Sequence, residues 1–134
     1  MPETLSSEIV IRVRYAEADR MGYLHHAHYP VYLEQGRVEL LRKRGLSYRD
    51  LEDLGYLMVL THLSIRYRKP ARFDDEVRLV TQVNRATMVR VEHAYTLHCG
   101  EDLLAEAETT LVCVNREGAV QKLHPALLPE HLRD

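Results

Sequence analysis

The sequence contains 134 residues, of which 46% are hydrophobic and 28% are charged. This length suits one domain of residues 1–134 and leaves too little chain for two domains with separate cores. The formal charge of −2 gives no indication of a nucleic-acid-binding surface, and no apolar run is long enough for an integral membrane segment. The polar start of the chain lacks the apolar stretch of a signal peptide, so we expect a cytoplasmic protein.

The first predicted element is a strand from Ser7 to Tyr15. Along this segment Ile9, Ile11, Val13 and Tyr15 alternate with polar residues. Alternation with a period of two residues is typical of a strand with one buried face.

A long helix is predicted from about His28 to Arg44. Most of its apolar residues gather on one broad face, while Val31 and Val38 lie on the opposite face. Pro30 suits the first turn, where its missing N–H has no partner within the helix to lose. Because a helix that is hydrophobic on two sides is covered on two sides, we place it inside the fold or at a subunit interface.

A short helix and several strands are predicted in the rest of the chain. Ser47 has the position of an N-cap, which predicts a helix from Tyr48 to Leu54. Later segments alternate apolar and polar residues, and a hairpin turn at 115–118 predicts a short last strand. These segments are Val59–Tyr67, Val77–Val83, Val89–Leu97, Leu103–Val114 and Ala119–Leu123. The order predicts an α+β domain in which a curved antiparallel sheet of about five to six strands wraps one long helix.

The start of the long helix is the candidate functional site. The first turn of a helix presents unpaired backbone N–H groups and the positive end of the helix dipole. Asp19 precedes this turn, and Gly22 allows the chain to turn back so that the Asp19 carboxylate faces a group held by the helix amides. A carboxylate and an oxyanion-binding helix end that face one gap are two parts of a hydrolase site. A lone Asp can also simply cap a turn.

The cluster of His25, His26 and His28 raises the question of a metal site, with Asp19 or Glu17 as a further ligand. Neighbouring side chains in an extended segment point to opposite sides, and the helical His-Glu-x-x-His signature is absent. We therefore expect no bound metal. The remaining histidines, at positions 62, 93, 98, 124 and 131, are scattered and predict no site.

The two cysteines, Cys99 and Cys113, lie in strand-like segments. We expect them to be small buried residues rather than a disulfide or a nucleophile. No Gly-rich phosphate loop, Ser/His/Asp triad or Cys/His pair is evident in the sequence.

Two motifs resemble those of a known family. They are Tyr15-x-Glu17-x-Asp19-x-x-Gly22-x-x-x-His26-x-x-Tyr29 and Tyr67-x-Lys69-Pro70-Ala71-x-Phe73-x-Asp75. In these segments the chain resembles the 4-hydroxybenzoyl-CoA thioesterase-like branch of the hotdog superfamily, and within it the small acyl-CoA thioesterases associated with the Tol-Pal system. The resemblance implies a hotdog fold and at least a homodimer with two sheets joined edge to edge, or a homotetramer built as a dimer of dimers. It also implies active sites at the subunit interface.

The resemblance further implies hydrolysis of an acyl-CoA thioester without a metal or redox cofactor. The family's essential carboxylate falls on Asp19, either as a nucleophile or as a general base on water. The family's oxyanion-binding backbone N–H falls on His26, whose imidazole either contacts the substrate or only fills the turn. Tyr29 is a candidate substrate contact, although a residue in this position more often packs under the helix.

The phosphates of coenzyme A require cationic or amide partners. The segment Asn84–Thr87, which includes Arg85 and Thr87, resembles the family's phosphate-contacting turn between strands, and Lys69 is a second candidate. This chain has His28 where relatives often have Asn, and His25 where many have an aromatic residue. We therefore expect its acyl pocket to differ from theirs.

Two alternatives to a thioesterase remain open at this stage. A hotdog hydratase acting on acyl thioesters would use the carboxylate to move a proton at the β-carbon. A non-catalytic acyl-CoA binding subunit would bind the ligand without releasing thiol. The choice between dimer and tetramer and the preferred acyl group also remain open.

Overall fold

The computed structural model describes residues 5–128, which contain two α-helices and five strands. In chain order these are β1 Ser6–Arg12, α1 Tyr29–Lys43, α2 Tyr48–Asp53, β2 Leu57–Tyr67, β3 Glu76–Ala86, β4 Arg90–Cys99 and β5 Asp102–Val114. Two short 3-10 turns, Tyr15–Glu17 and His26–His28, precede α1. Neither helix in this part of the chain has the length and hydrophobicity that crossing a membrane requires. His131 lies outside the described residues.

The five strands form one antiparallel sheet with the order β1-β3-β4-β5-β2. The α1 helix packs against one face of this sheet, with its main contacts on β1 and β3. This arrangement confirms the predicted α+β hotdog architecture, in which a curved sheet wraps one long helix. The order leaves β1 and β2 as the two edges of the sheet.

The predicted last strand at Ala119–Leu123 is wrong, since only one bridge, between Val114 and Val120, forms there. The predicted hairpin turn is present, because the Asn115 side chain accepts hydrogen bonds from two following backbone N–H groups. After the turn the backbone bonds first to β5 and then, through Leu123, to Met88 before β4. A segment that changes partner within a few residues cannot form a continuous ladder.

The predicted apolar face of α1 is buried, and it includes Tyr32, Leu33 and Leu40. At Gly36 the helix approaches β3 so closely that an added Cβ would lie 2.9 Å from Leu79 Cδ2 and overlap Thr81 Oγ1. The absence of a side chain at this position therefore sets the distance between helix and sheet. On the opposite face Val31 is 49% exposed and Val38 is half-buried, so a single chain covers the second apolar side of α1 only in part.

The first strand is shorter than predicted. It ends at Arg12, and the chain enters a 3-10 turn at Tyr15, whose side chain is 80% exposed. In the sequence the alternation of apolar and polar residues continues past Arg12, because Val13 packs in the core although it no longer belongs to the strand. The Tyr15 ring instead packs edge-on against Phe73, with centroids 5.2 Å apart.

The predicted turn at Asn84–Thr87 is also wrong in part, because β3 continues to Ala86. The pairing of β3 with β4 shifts by one residue between Val83 and Arg85, which is the signature of a β-bulge. The turn itself begins at Thr87, whose backbone N–H donates to Arg90 O at 2.8 Å. Polar residues in the bulged end of a strand produced the turn-like pattern.

The β2 strand is exposed on both faces along most of its length, so the predicted half-buried alternation does not hold within one chain. It is an edge strand, paired only with β5. Several of its apolar side chains are open to solvent, namely Val59, Leu60, Leu63 and Tyr67.

Both cysteines are free, and burial raises the pKa of the Cys113 thiol, which disfavours the nucleophilic thiolate.

His93 in β4 predicts a specific acid sensitivity. It is only 5% exposed, and burial together with the positive charge of Arg37 lowers its pKa from 6.5 to about 4. Below pH 6.5 the unfolded chain takes up a proton at this residue, whereas the folded chain does so only near pH 4. We therefore expect the free energy of unfolding to fall by about 2–3 kcal/mol between these pH values because of His93.

Urea denaturation across this pH range measures the effect. His93→Phe should remove this part of the pH dependence, whereas the matched variant His98→Phe, on the same strand, should retain it. An unchanged slope in His93→Phe would contradict the assignment.

Candidate active site

Asp19 lies in a tight turn that fixes one of its carboxylate oxygens. The Oδ1 atom accepts hydrogen bonds from the backbone N–H groups of Met21 at 2.9 Å and Tyr23 at 3.1 Å. Gly22 has φ 81°, a conformation that glycine adopts without strain. The Oδ2 atom has no hydrogen bond to any of residues 5–128. Asp19 thus caps the turn with one oxygen and keeps the other available for chemistry.

The loop between β2 and β3 holds this turn in place. The backbone N–H of Leu24 donates to Ala71 O at 2.8 Å. The Arg72 guanidinium carbon lies 4.9 Å from the centre of the Tyr23 ring, a cation–π distance. The two sequence motifs, which are far apart in the chain, are therefore adjacent in the fold.

The start of α1 presents an unpaired backbone N–H group. The 3-10 turn His26–His28 runs directly into α1, and the Ala27 N–H is already used by His25 Nδ1 at 3.0 Å. The N–H of His26 has no acceptor among residues 5–128, and the His26 side chain is exposed. An unpaired N–H at the positive end of a helix is suited to hold a developing negative charge on oxygen.

The three histidines pack mainly on one another. The rings of His25 and His26 stack with centroids 4.2 Å apart, and the His28 ring stands nearly perpendicular to that of His25 at 6.2 Å. Within residues 5–128, no group of three or more His, Cys, Asp or Glu side chains is placed to hold a metal ion.

Glu17 connects the Asp19 segment to α1, a role that the sequence analysis did not identify. Its carboxylate is 3% exposed and accepts hydrogen bonds from Arg14 N at 2.8 Å and from the buried Tyr32 hydroxyl at 2.7 Å. Burial alone would raise the pKa of Glu17, but the hydrogen bonds from Arg14 and Tyr32 outweigh burial and lower it. Its backbone oxygen accepts from His25 N at 2.9 Å. The available signal was Tyr32 on the buried helix face, because a buried hydroxyl requires a partner.

We expect Glu17→Ala to lower the free energy of unfolding by about 2 kcal/mol, because the Tyr32 hydroxyl would be left buried without its acceptor. Urea denaturation of Glu17→Ala, Tyr32→Phe and the double variant measures this coupling. The cost of Glu17→Ala should be smaller by about 1 kcal/mol when residue 32 is Phe. Strictly additive effects of the two substitutions would argue against the bond as the source of stability.

Two tyrosines lie next to the helix start. The Tyr29 ring is 3% exposed and meets the Tyr67 ring edge-on, with centroids 4.9 Å apart. Since it is covered within one chain, Tyr29 has a packing role, and its contact with a substrate stays a prediction. Tyr67 was not proposed as a site residue, yet its hydroxyl donates to His26 O at 3.3 Å from the edge strand β2.

The candidate phosphate-binding residues lie at opposite ends of the sheet. Ala86, the neighbour of Arg85 in β3, lies level with Leu60 of β2 when the strand pairing is followed through β4 and β5. Tyr67, at the other end of β2, is about 23 Å from Leu60 at the usual rise of a strand, and Lys69 lies two residues further along the chain. One chain therefore does not bring Arg85 and Lys69 into the same site, and only Lys69 is near the start of α1.

Each of these candidates already has a local partner. Lys69 Nζ is 3.0 Å from Asp102 Oδ1, and Arg85 Nε is 3.9 Å from Glu92 Oε2. Arg85 is strongly exposed, so its pairing with Glu92 contributes little and leaves it free to bind an anion. The Thr87 hydroxyl accepts a weak bond from a neighbouring backbone N–H at 3.4 Å within the turn.

Comparison with known proteins gives consistent matches along the chain. The sequence profile of the thioesterase-like superfamily matches residues 13–134. YneP of Bacillus subtilis is 33% identical over 109 residues, which cover 80% of this chain and 78% of YneP. The acyl-CoA thioester hydrolase YbgC of Escherichia coli is 29% identical over 123 residues, which cover 91% of this chain and 89% of YbgC. The DHNA-CoA thioesterase structure from Staphylococcus aureus aligns with a TM-score of 0.85 and 28% identity, over 88% of this chain and 80% of that chain.

Proposed function

Because this chain belongs to the thioesterase-like superfamily, a family of hydrolases, we propose that it hydrolyses an acyl-CoA thioester to a free acid and coenzyme A. One observation carries the proposal: the free Oδ2 of Asp19 and the unpaired N–H of His26 flank the start of the same helix. The names of YbgC and of the Staphylococcus aureus enzyme agree with this activity. The more specific likeness to the Tol-Pal-associated enzymes and the cytoplasmic location stay predictions.

In the proposed reaction the thioester carbonyl lies at the start of α1, and its oxygen accepts a hydrogen bond from the His26 N–H. The Asp19 Oδ2 either attacks the carbonyl carbon to form a mixed anhydride or removes a proton from an attacking water. In both routes the C–S bond breaks and coenzyme A leaves as a thiolate that takes up a proton. In the first route water then hydrolyses the mixed anhydride, which releases the free acid and restores the Asp19 carboxylate. Because the turn holds Oδ1, Oδ2 keeps a fixed direction throughout. The proposed reaction uses no metal or redox cofactor, so addition of EDTA should leave the rate unchanged.

The proposed enzyme is at least a homodimer joined through β2. An exposed edge strand with apolar side chains is a template for pairing with another strand. The exposed Val31 of α1 lines one groove together with Leu60 and Leu63 of this strand. A second chain also supplies a reason for the distant position of Arg85, because its Arg85 and Thr87 then bind the coenzyme A phosphates next to the first chain's Asp19. Light scattering during gel filtration tests the assembly, and a monomer at micromolar concentration would contradict this part. A homotetramer, as a dimer of dimers, is compatible with the same pairing.

Thiol release, followed with a thiol-reactive dye across short, medium, long and aromatic acyl-CoAs, tests the activity. A blank without substrate corrects for the half-buried Cys99. We expect clear turnover of at least one class. Hydration of an enoyl-CoA without thiol release would instead support the hydratase, and tight binding without any turnover would support the non-catalytic subunit.

A further inference from the structure

The peptide group between His25 and His26 carries the unpaired N–H at the start of α1. Its carbonyl oxygen, His25 O, accepts a hydrogen bond from the N–H of His28 at 3.0 Å. One end of this peptide group is therefore held, while its N–H has no acceptor within residues 5–128. The direction of that N–H depends on the two soft backbone torsions of each adjoining residue, and so on how the neighbouring peptide group is held.

The next peptide group, between His26 and Ala27, is held at both ends by side chains. The Tyr67 hydroxyl donates to His26 O at 3.3 Å. At the other end, His25 Nδ1 accepts from the Ala27 N–H at 3.0 Å. Since a peptide group is planar and rigid, two hydrogen bonds at opposite ends fix its orientation. One of these bonds is local, whereas the other comes from the edge strand β2, 41 residues away in the sequence.

Tyr67 is itself held firmly enough to orient another group. It is the last residue of β2, and the next two residues donate their backbone N–H groups to Leu104 O at 2.8 and 3.1 Å. Its ring stands edge-on against the buried Tyr29 ring. Partial burial raises the pKa of Tyr67, so its hydroxyl stays protonated and remains a donor. Within residues 5–128 this hydroxyl makes no other hydrogen bond.

We propose that Tyr67 is a positioning residue, which directs the His26 N–H towards the thioester oxygen by holding the adjoining peptide group. The inference rests on the proposed function, because a thioester carbonyl is what gives this N–H its role. Stabilisation of a developing oxyanion depends on donors whose direction is fixed before the reaction. A displacement of about 1 Å in a reacting group can cost on the order of a hundredfold in rate.

Tyr67→Phe tests the inference, since it removes the hydroxyl and keeps the ring that packs on Tyr29. We expect kcat for thiol release to fall about tenfold, because the donor is retained without its fixed direction, whereas loss of a whole donor costs about 10²–10³. KM should change by less than about twofold, since this bond strengthens in the transition state. Tyr15→Phe is the matched control. It removes a phenolic hydroxyl that has no hydrogen bond within residues 5–128, and it should keep full activity.

Amide hydrogen exchange of the full chain without substrate is a second readout, which needs no turnover. In Tyr67→Phe the Ala27 N–H should exchange roughly threefold or more faster, while the N–H of the buried Leu40 in α1 keeps its wild-type rate. A general loss of stability would instead raise both rates.

Unchanged exchange at Ala27, a wild-type kcat in Tyr67→Phe, or an equal loss of kcat in Tyr15→Phe would each overturn the inference while leaving the thioesterase activity in place. Absence of thiol release from the wild type with every acyl-CoA would refute the proposed function, and this inference with it. The two failures are therefore distinguished by the wild-type assay alone.

Discussion

Replacing Asp19 with asparagine is expected to reduce thioester hydrolysis by about a hundredfold or more, the contribution typical of a positioned general base. The substitution removes the charged oxygen that has no partner within residues 5–128. The amide oxygen of asparagine can still accept the hydrogen bonds from Met21 and Tyr23, so the turn should persist. The measurement is thiol release under saturating acyl-CoA, together with thermal unfolding to verify the fold.

Asp75→Asn is the matched control for this variant. Asp75 is also half-buried and caps a turn, with its Oδ2 accepting from Arg72 N at 2.9 Å, but it has no place in the proposed chemistry. We expect Asp75→Asn to keep most of the activity. If Asp19→Asn keeps normal turnover, the carboxylate is only a turn cap. If both variants lose activity equally, the loop geometry rather than the Asp19 charge is responsible.

Replacing Gly36 with valine is expected to destabilise the fold at or above the top of the roughly 1–3 kcal/mol range for overpacked cores. The added Cβ alone would overlap Thr81 Oγ1 and lie 2.9 Å from Leu79 Cδ2, so α1 would have to move away from β3. Valine has a better helix propensity than glycine, but this difference stabilises the fold by less than about 1 kcal/mol. The cost of the steric overlap therefore exceeds the gain in helix propensity, and the variant should unfold at a clearly lower urea concentration.

Gln35→Val is the matched control, because it places the same side chain at the neighbouring, exposed position of α1. We expect it to change the free energy of unfolding by about 0.5 kcal/mol or less. A Thr81→Ala background should reduce the cost of Gly36→Val by removing the hydroxyl in its way. Equal costs for the valines at 35 and 36 would show that the helix does not approach the sheet closely in solution.

The elements that sequence analysis predicted well are those with strong local signals. The span of α1 follows from its apolar face, from Pro30 in its first turn and from the glycine after its last turn. The α2 helix follows from Ser47, whose side chain accepts from Asp50 N at 3.0 Å. The Asp19 turn and its position before the helix were also predicted, because Gly22 and the motif lie within one short segment.

The errors arose where neighbouring elements decide the outcome. The first strand was predicted too long because apolar and polar residues still alternate after β1 ends, where Val13 packs in the core outside the strand. The bulge near Arg85 is imposed by the pairing of β3 with β4, which no local pattern records. Ala119–Leu123 has a strand-like composition but bonds to two different elements in turn.

The sequence by itself determined the fold class and the single long helix, and its resemblance to a known family gave the candidate catalytic pair of Asp19 and His26, which stays a prediction. These depend on periodicity, capping and a compact motif, which are local properties of the chain. Only the tertiary structure decided that Glu17 anchors the site through Tyr32, and that Arg85 lies far from Lys69. It also decided that Tyr67 reaches His26 from the edge strand β2. Such relations depend on which strands pair and on how closely the helix packs, and both are set by contacts between residues distant in sequence.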